Sequence, residues 1–306
     1  MTKTNLFLIG AAKAGTTALA EMLGNHPEIS PLAIKEPGHF CDDIYEKGFS
    51  ASYQKMLRWD EDAYFRAAVL EQRHMAFVRG SENYDRLVKE APLSNYILDA
   101  STAYLPSAAA PDNIADYSPE AKIIVSLRNP VTRAYSHYNM ARKYGKEQRS
   151  FLDAIKAESA LENPRWGWDE CYLELGDYAP QLERWLKHFS MDNIHVVWQD
   201  ELFAEPAATL LGISKFLGLK EALKPLAAEK HNAEVPKNKV VGKVLSGIGP
   251  AVASILPEKI KASVKNMLLA QPENMDEAAR SFLLRYFAPS VEALEELLKK
   301  DLTHWK

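Results

Sequence analysis

Four short apolar runs punctuate the chain: Leu6–Ile9, Tyr96–Leu98, Lys122–Leu127 and Ile194–Trp198. Each reads as a buried strand, and three end in polar or glycine-bearing turns followed by helical patterns. That alternation predicts βαβ units and a mostly parallel sheet in an α/β fold. Ligands of such sheets bind beyond the carboxyl ends of the strands, so the residues just after each run carry most interest. The pattern places a first helix from near Thr16 to the stop signal Gly24-Asn25-His26-Pro27. An aromatic-rich helical stretch is expected from about Tyr53 to Val78. Another helix opens at Asn129-Pro130, with Asn as the cap and Pro at the first helical position. Amphipathic helices are expected over Tyr178–Phe189 and Ala278–Leu297. Residues 228–258, rich in Lys, Asn, Gly and Pro, are expected to form a mobile loop or excursion within a single domain spanning 1–306.

Composition narrows the classes. A formal charge of -4 argues against a general nucleic-acid binder, while leaving room for one basic cleft. Cys41 and Cys171 lie far apart in no metal-like spacing, which suits ordinary thiols. Met-Thr-Lys-Thr leads straight into a strand-like run, and no stretch approaches the length of a membrane span. A soluble cytoplasmic protein is expected.

Candidate chemistry begins with Gly10-Ala-Ala-Lys13-Ala14-Gly15-Thr16-Thr17, directly after the first strand. A loop between a strand and a helix turns backbone N–H groups toward the helix N-terminus, which makes an anion site. The triphosphate-binding pattern G-x-x-x-x-G-K-[ST] places Lys after the second glycine. Here that position is Thr16, and the lysine, Lys13, sits inside the loop. This suits one 5'-phosphate followed by a short anionic group better than a magnesium-bound triphosphate. A tight turn without a ligand is the plainer alternative.

A second station follows the third strand, in Leu127-Arg128-Asn-Pro-Val-Thr-Arg133-Ala-Tyr-Ser136-His-Tyr138. Arg128 emerges at a strand end and Ser136 lies on the next helix, a pairing able to hold another phosphate through the guanidinium N–H donors. A surface ion pair at Arg128 and an idle hydroxyl at Ser136 remain the alternative.

Two phosphate stations on one sheet imply a nucleotide phosphorylated twice, and here the chain resembles the sulfotransferases that use 3'-phosphoadenosine 5'-phosphosulfate (PAPS). Their 5'-phosphosulfate loop matches Lys13-Ala14-Gly15-Thr16-Thr17, and their motif L-R-[DN]-P-x-x-R-x-x-S-x-Y matches Leu127 through Tyr138. The likeness is closest to the carbohydrate type, including heparan sulfate enzymes, and extends through Lys35-Glu36-Pro37, Ala100–Tyr104, Gly176-Asp177-Tyr178 and Asp301–Trp305. It implies a three-layer sheet with a P-loop-like strand–loop–helix, PAPS as sulfuryl donor, PAP as product and no required metal. It also implies a small-molecule or carbohydrate acceptor bearing a hydroxyl or amine.

In that family a glutamate shortly after the first helix takes the acceptor's proton, a place occupied here by Glu36. His39 is a rival base; the family's E-x-H-F-F becomes Glu36-Pro37-Gly38-His39-Phe40-Cys41, with an extra glycine. Lys13 would carry the cationic role at the leaving oxygen. The heparan-type E-K-[ST] is replaced by Asp99-Ala100-Ser101, so that catalytic lysine is absent; either Lys35 substitutes for it or the acceptor differs from a heparan chain. Tyr104, Trp166 and Trp168 are candidates for an aromatic acceptor platform, or for plain core packing. Lys237, Lys239 and Lys243 are candidates to close over the nucleotide, or an ordinary solvated run. Two other functions compete: a P-loop kinase using Asp99 as a strand-end magnesium ligand, and a non-catalytic nucleotide-binding adaptor.

Overall fold

The computed structural model describes residues 3–45, 48–167, 169–226, 235–236, 269–270 and 273–306. Seven strands concern the site: β1 (Leu6–Leu8), β2 (Ile29–Pro31), β3 (Ile34–Lys35), β4 (Arg73–His74), β5 (Tyr96–Ala100), β6 (Lys122–Leu127) and β7 (Ile194–Trp198). Five of them form a parallel sheet in the order β2-β5-β1-β6-β7. β1 sits at its centre, with Leu6 opposite both Leu98 and Lys122. The four expected apolar runs are four of these five strands.

Alternation along the strands divides the core in two. Leu6, Leu8, Leu98, Ala100 and Ile124 face one side, against Leu19 and Leu23 of α1 (Thr16–Gly24). Phe7, Ile9, Ile97, Ile123 and Val125 face the other. There they meet Leu87 of α4 (Ser81–Glu90), Ile114 of α5 (Ala110–Tyr117) and Ala134 of α6 (Pro130–Lys143). Helices on both faces of a parallel sheet make the expected three-layer α/β architecture. Farther along the described residues lie α7 (Phe151–Ser159), α8 (Tyr178–Leu186), α9 (Gln199–Ala204), α10 (Pro206–Leu217) and α11 (Glu277–Leu298). Among the described residues no helix is long and apolar enough to cross a membrane. Cys41 and Cys171 are buried free thiols.

One expected element is corrected. The stretch from Tyr53 to Val78 is not one helix but α2 (Ala51–Leu57), α3 (Glu61–Arg66) and the short β4. Arg58 leaves α2 in an extended conformation, and Asp60 recaps the chain by accepting from the Ala63 N–H at 2.8 Å. A side-chain cap restarts the backbone where hydrophobic content alone suggests continuation.

α6 begins as the dipeptide Asn129-Pro130 predicts. Asn129 Oδ1 accepts from the N–H groups of Val131 (3.0 Å) and Thr132 (3.3 Å), satisfying two donors that the first helical turn leaves open. Asn129→Ala should therefore lower unfolding stability by about 1 kcal/mol, read as a shifted urea midpoint with an unchanged slope.

Candidate active site

The loop after β1 is fastened to the strand beside it. Ala11 N–H donates to the Ser126 carbonyl (2.6 Å), Ser126 N–H to the Gly10 carbonyl (2.8 Å), and Ser126 Oγ to the Ala14 carbonyl (2.7 Å). Gly15 precedes α1 with φ 84°, in the left-handed region, and an added Cβ would press on the Phe203 ring at 3.3 Å. Glycine serves both needs there. The N–H groups of α1's first turn thus open at this helix end, where Thr16 and Thr17 are the first two helical residues.

Arg128, at the end of β6, reaches this loop. Its Nη1 donates to the Lys13 carbonyl at 3.3 Å, and its Nε to Thr132 Oγ1 at 2.9 Å. Its own carbonyl accepts from the Tyr178 hydroxyl at 2.9 Å. Lys13 Nζ lies 3.4 Å from Met140 Sδ of α6. Among the described residues no carboxylate lies within ion-pair distance of Lys13 or Arg128. Burial lowers the Lys13 pKa, and repulsion from Arg128, Arg133 and Lys143 lowers it further, while Glu36 opposes them. A cluster of cations so short of counter-charge favours a bound anion. Ser136 is half-buried farther along the same helix.

Glu36 approaches from the opposite side, on a turn where its φ is 65°. Its N–H donates to the carbonyl of Ala100 at the end of β5 (2.9 Å). Lys35 Nζ donates to Oε1 at 2.9 Å, and Thr102 Oγ1 donates to Oε2 at 2.8 Å. His74 Nε2 lies 3.5 Å from Oε1. Burial would raise the carboxyl's pKa, but the bond from His74, the charge and bond of Lys35 and the bond from Thr102 hold it at about 2.

Several candidates lie elsewhere. His39 turns from the cleft: its ring stacks on Tyr84 at 4.2 Å, and Nδ1 contacts the Val78 carbonyl at 2.8 Å. Burial lowers its pKa, with the Val78 carbonyl opposing. Tyr104 is fully buried against Phe7 and Phe40, so it forms no acceptor platform. A strand-end tyrosine can serve either core or cleft, and here the hydroxyl is drawn inward by Asp99 Oδ2 at 2.8 Å. Trp166 packs on Phe49, Tyr53 and Phe77. Asp99 is no open magnesium ligand: it is buried and also accepts from Ser101 (2.7 Å) and Tyr84 (2.9 Å). Trp168, Lys237, Lys239 and Lys243 lie outside the described residues, as does most of 228–258.

A family model described as the sulfotransferase domain matches residues 3–245. The chain belongs to the sulfotransferase domain family. It is 29% identical over 299 residues to the bifunctional heparan sulfate N-deacetylase/N-sulfotransferase 1 of Xenopus laevis, covering 96% of this chain and 30% of that protein. It is also 29% identical over 226 residues to the heparan sulfate glucosamine 3-O-sulfotransferase 3B1 of Mus musculus, covering 73% of this chain and 47% of that protein. The chain thus spans less than half the length of either relative. A crystal structure of a sulfotransferase from Alicyclobacillus acidocaldarius superposes with a TM-score of 0.68 at 24% identity, covering 100% of this chain and 99% of that one, which shows a shared fold.

In this sulfotransferase domain the sequence motifs single out Lys13, Arg128 and Glu36, and the structure adds their contacts Ser126, Thr102 and His74, which the motifs do not. Ser126 precedes the Leu127-Arg128 motif by one residue and was readable as its anchor. His74 carried no signal, because a two-residue strand has no period.

Asp99 has a pH signature. Burial pushes it up to about 6, against its three hydroxyl donors. Its folded value exceeds its unfolded one, so between pH 3.8 and about 6 the folded state holds the extra proton, and stability falls as pH rises. Glu36, held low, acts oppositely and mostly below that window, losing its contribution as pH falls from 4.5 toward about 2. Asp99→Asn should flatten the decline, a difference of about 3 kcal/mol at most, measured as urea midpoints across that range.

Proposed function

We propose that the domain transfers a sulfuryl group from PAPS to a hydroxyl or amine of a carbohydrate acceptor and releases PAP. The observation that carries this reading is the Arg128–Lys13 contact, which joins two anion-binding motifs into one basic cluster without a carboxylate partner among the described residues. The residues fit such a donor. The loop N–H groups, Thr16, Thr17 and Lys13 hold the 5'-phosphosulfate, while Arg128 and Ser136 hold the 3'-phosphate. Lys13 offsets negative charge gathering on the oxygen that leaves with PAP. Glu36, ionised down to about pH 2, stands on the acceptor side and takes its proton. Chemistry of this kind asks for positioned cations and needs no metal.

The acceptor class rests on two supports. The similar proteins are named for heparan sulfate and its glucosamine. In addition, an open cavity of about 710 Å³ has Trp59, Phe77, Lys55, Arg58, Arg79 and one carboxylate, Glu61, in its wall. Phe77 covers Gly38, and Arg79 donates to the Gly38 carbonyl at 2.8 Å, so wall and turn are continuous. Rings and cations together suit a sugar carrying negative charge.

Lys13→Ala and Arg128→Ala should each weaken PAP binding by about tenfold to a hundredfold, the loss of one or two charge-assisted bonds, as measured by calorimetry without divalent metal. Tight Mg-ATP binding with no PAP binding would instead establish the kinase reading. Glu36→Gln should leave PAP affinity nearly intact and slow transfer from labelled PAPS by about a hundredfold or more. Normal transfer by that variant would remove Glu36 as the base.

A further inference from the structure

Glu36 is held more tightly than a base awaiting a proton needs. Its side chain is 14% exposed and has three neighbours: Lys35 and His74 at Oε1, and Thr102 at Oε2. Once the carboxyl takes the acceptor's proton, that proton must leave before a second turnover. Lys35 as an ammonium has no lone pair to receive it, and the Thr102 hydroxyl is not basic near neutrality. The imidazole of His74, which in its neutral form keeps one ring nitrogen with a free lone pair, lies 3.5 Å away and is 60% exposed.

His74 reaches this place through backbone pairing. β4 lies parallel to β3 with His74 opposite Lys35, so the residue after Lys35 and the ring of His74 share one end of the ladder. Arg73 N–H donates to the Ala33 carbonyl (2.9 Å) and Met75 N–H to the Lys35 carbonyl (2.7 Å). The Arg73 guanidinium lies over the Trp59 ring at 5.1 Å, tying β4 to the linker before α3. Besides Glu36, the charged groups around the pair are Lys35 on β3, Arg73 on β4, Lys13 on the phosphate loop and Asp99 on β5.

We propose that His74 is the proton exit of the site, taking from Glu36 the proton removed from the acceptor and releasing it to solvent. The proposal rests on the reading of Glu36 as the proton acceptor. In the transfer, the acceptor's O–H or N–H bond breaks and its proton joins the Glu36 carboxylate. The sulfur–oxygen bond to PAP breaks as the bond from sulfur to the acceptor forms. With His74 neutral and its hydrogen on Nδ1, the carboxyl then loses that proton to Nε2, the imidazolium gives its Nδ1 proton to water, and tautomer exchange through solvent restores the starting ring. Nothing is oxidised or reduced. His74 acts through Glu36 and is a positioning residue.

The test uses the full chain and labelled PAPS, with transfer to water and to partly de-N-acetylated heparosan as the two readouts. In His74→Gln and His74→Ala, PAP affinity should stay within about twofold of the unsubstituted chain, which also reports folding. Steady-state transfer should fall about tenfold or more, with the first turnover less affected and KM for PAPS unchanged. Added imidazole should restore turnover in His74→Ala, increasingly as pH rises and more of it is unprotonated. Turnover at the unsubstituted rate in both variants, or a slowed His74→Ala with no imidazole rescue at any pH, overturns the proposal. Full activity in Glu36→Gln sinks the underlying assignment of the base, and no transfer by the unsubstituted chain sinks the sulfuryl-transfer reading itself.

Discussion

Parallel pairing of β1 with β6 is the constraint on which the site depends. Its register, Leu6 with Lys122 and Leu8 with Ile124, carries two loops to the same edge of the sheet. Ser126 then laces the first loop to the second strand through both its backbone and its hydroxyl. Only with that lacing does Arg128 meet the Lys13 carbonyl across more than a hundred residues of sequence. The cost of gathering Lys13, Arg128 and Arg133 is mutual repulsion in a partly dry place. The sheet's buried faces supply the rigidity that holds them together despite it.

The two halves of the cleft are electrostatic opposites. Around the loop after β1, cations stand with backbone and sulfur for company. Around Glu36, a single carboxylate is surrounded by donors from β3, β4 and the turn after β5. An anion entering the first half relieves repulsion, whereas a proton entering the second disturbs a settled network. The proposed binding and proton-transfer roles thus fall to separate residues, although Lys13 and Glu36 still sense each other's charge.

What was legible in the sequence was what has a period or a cap. The apolar runs at 6–9, 96–98, 122–127 and 194–198 are strands because buried parallel strands need continuous apolar residues. Asn129-Pro130 marks a helix start because both residues act locally. The two candidate phosphate motifs stand out because glycine, lysine and arginine occur there in fixed spacing. The region from 51 to 79 was not, since its helices are short, its strand has two residues, and tertiary pairing decides the fold there. Tyr104 was misplaced for a related reason: the sequence shows a tyrosine after a strand, while Asp99 beneath it decides which way the hydroxyl turns.

Arg128 holds the loop by a peptide oxygen, not by a side chain. The tie therefore makes no use of the side chain at position 13, although φ of 72° there disfavours β-branched residues and proline. Drift at that position can erase the cation while the cradle keeps its shape, so a folded protein that has lost its donor lies a single substitution away. Scaffolds of this construction part with catalysis more easily than with architecture, which gives a physical route from enzyme to binding protein without a new fold.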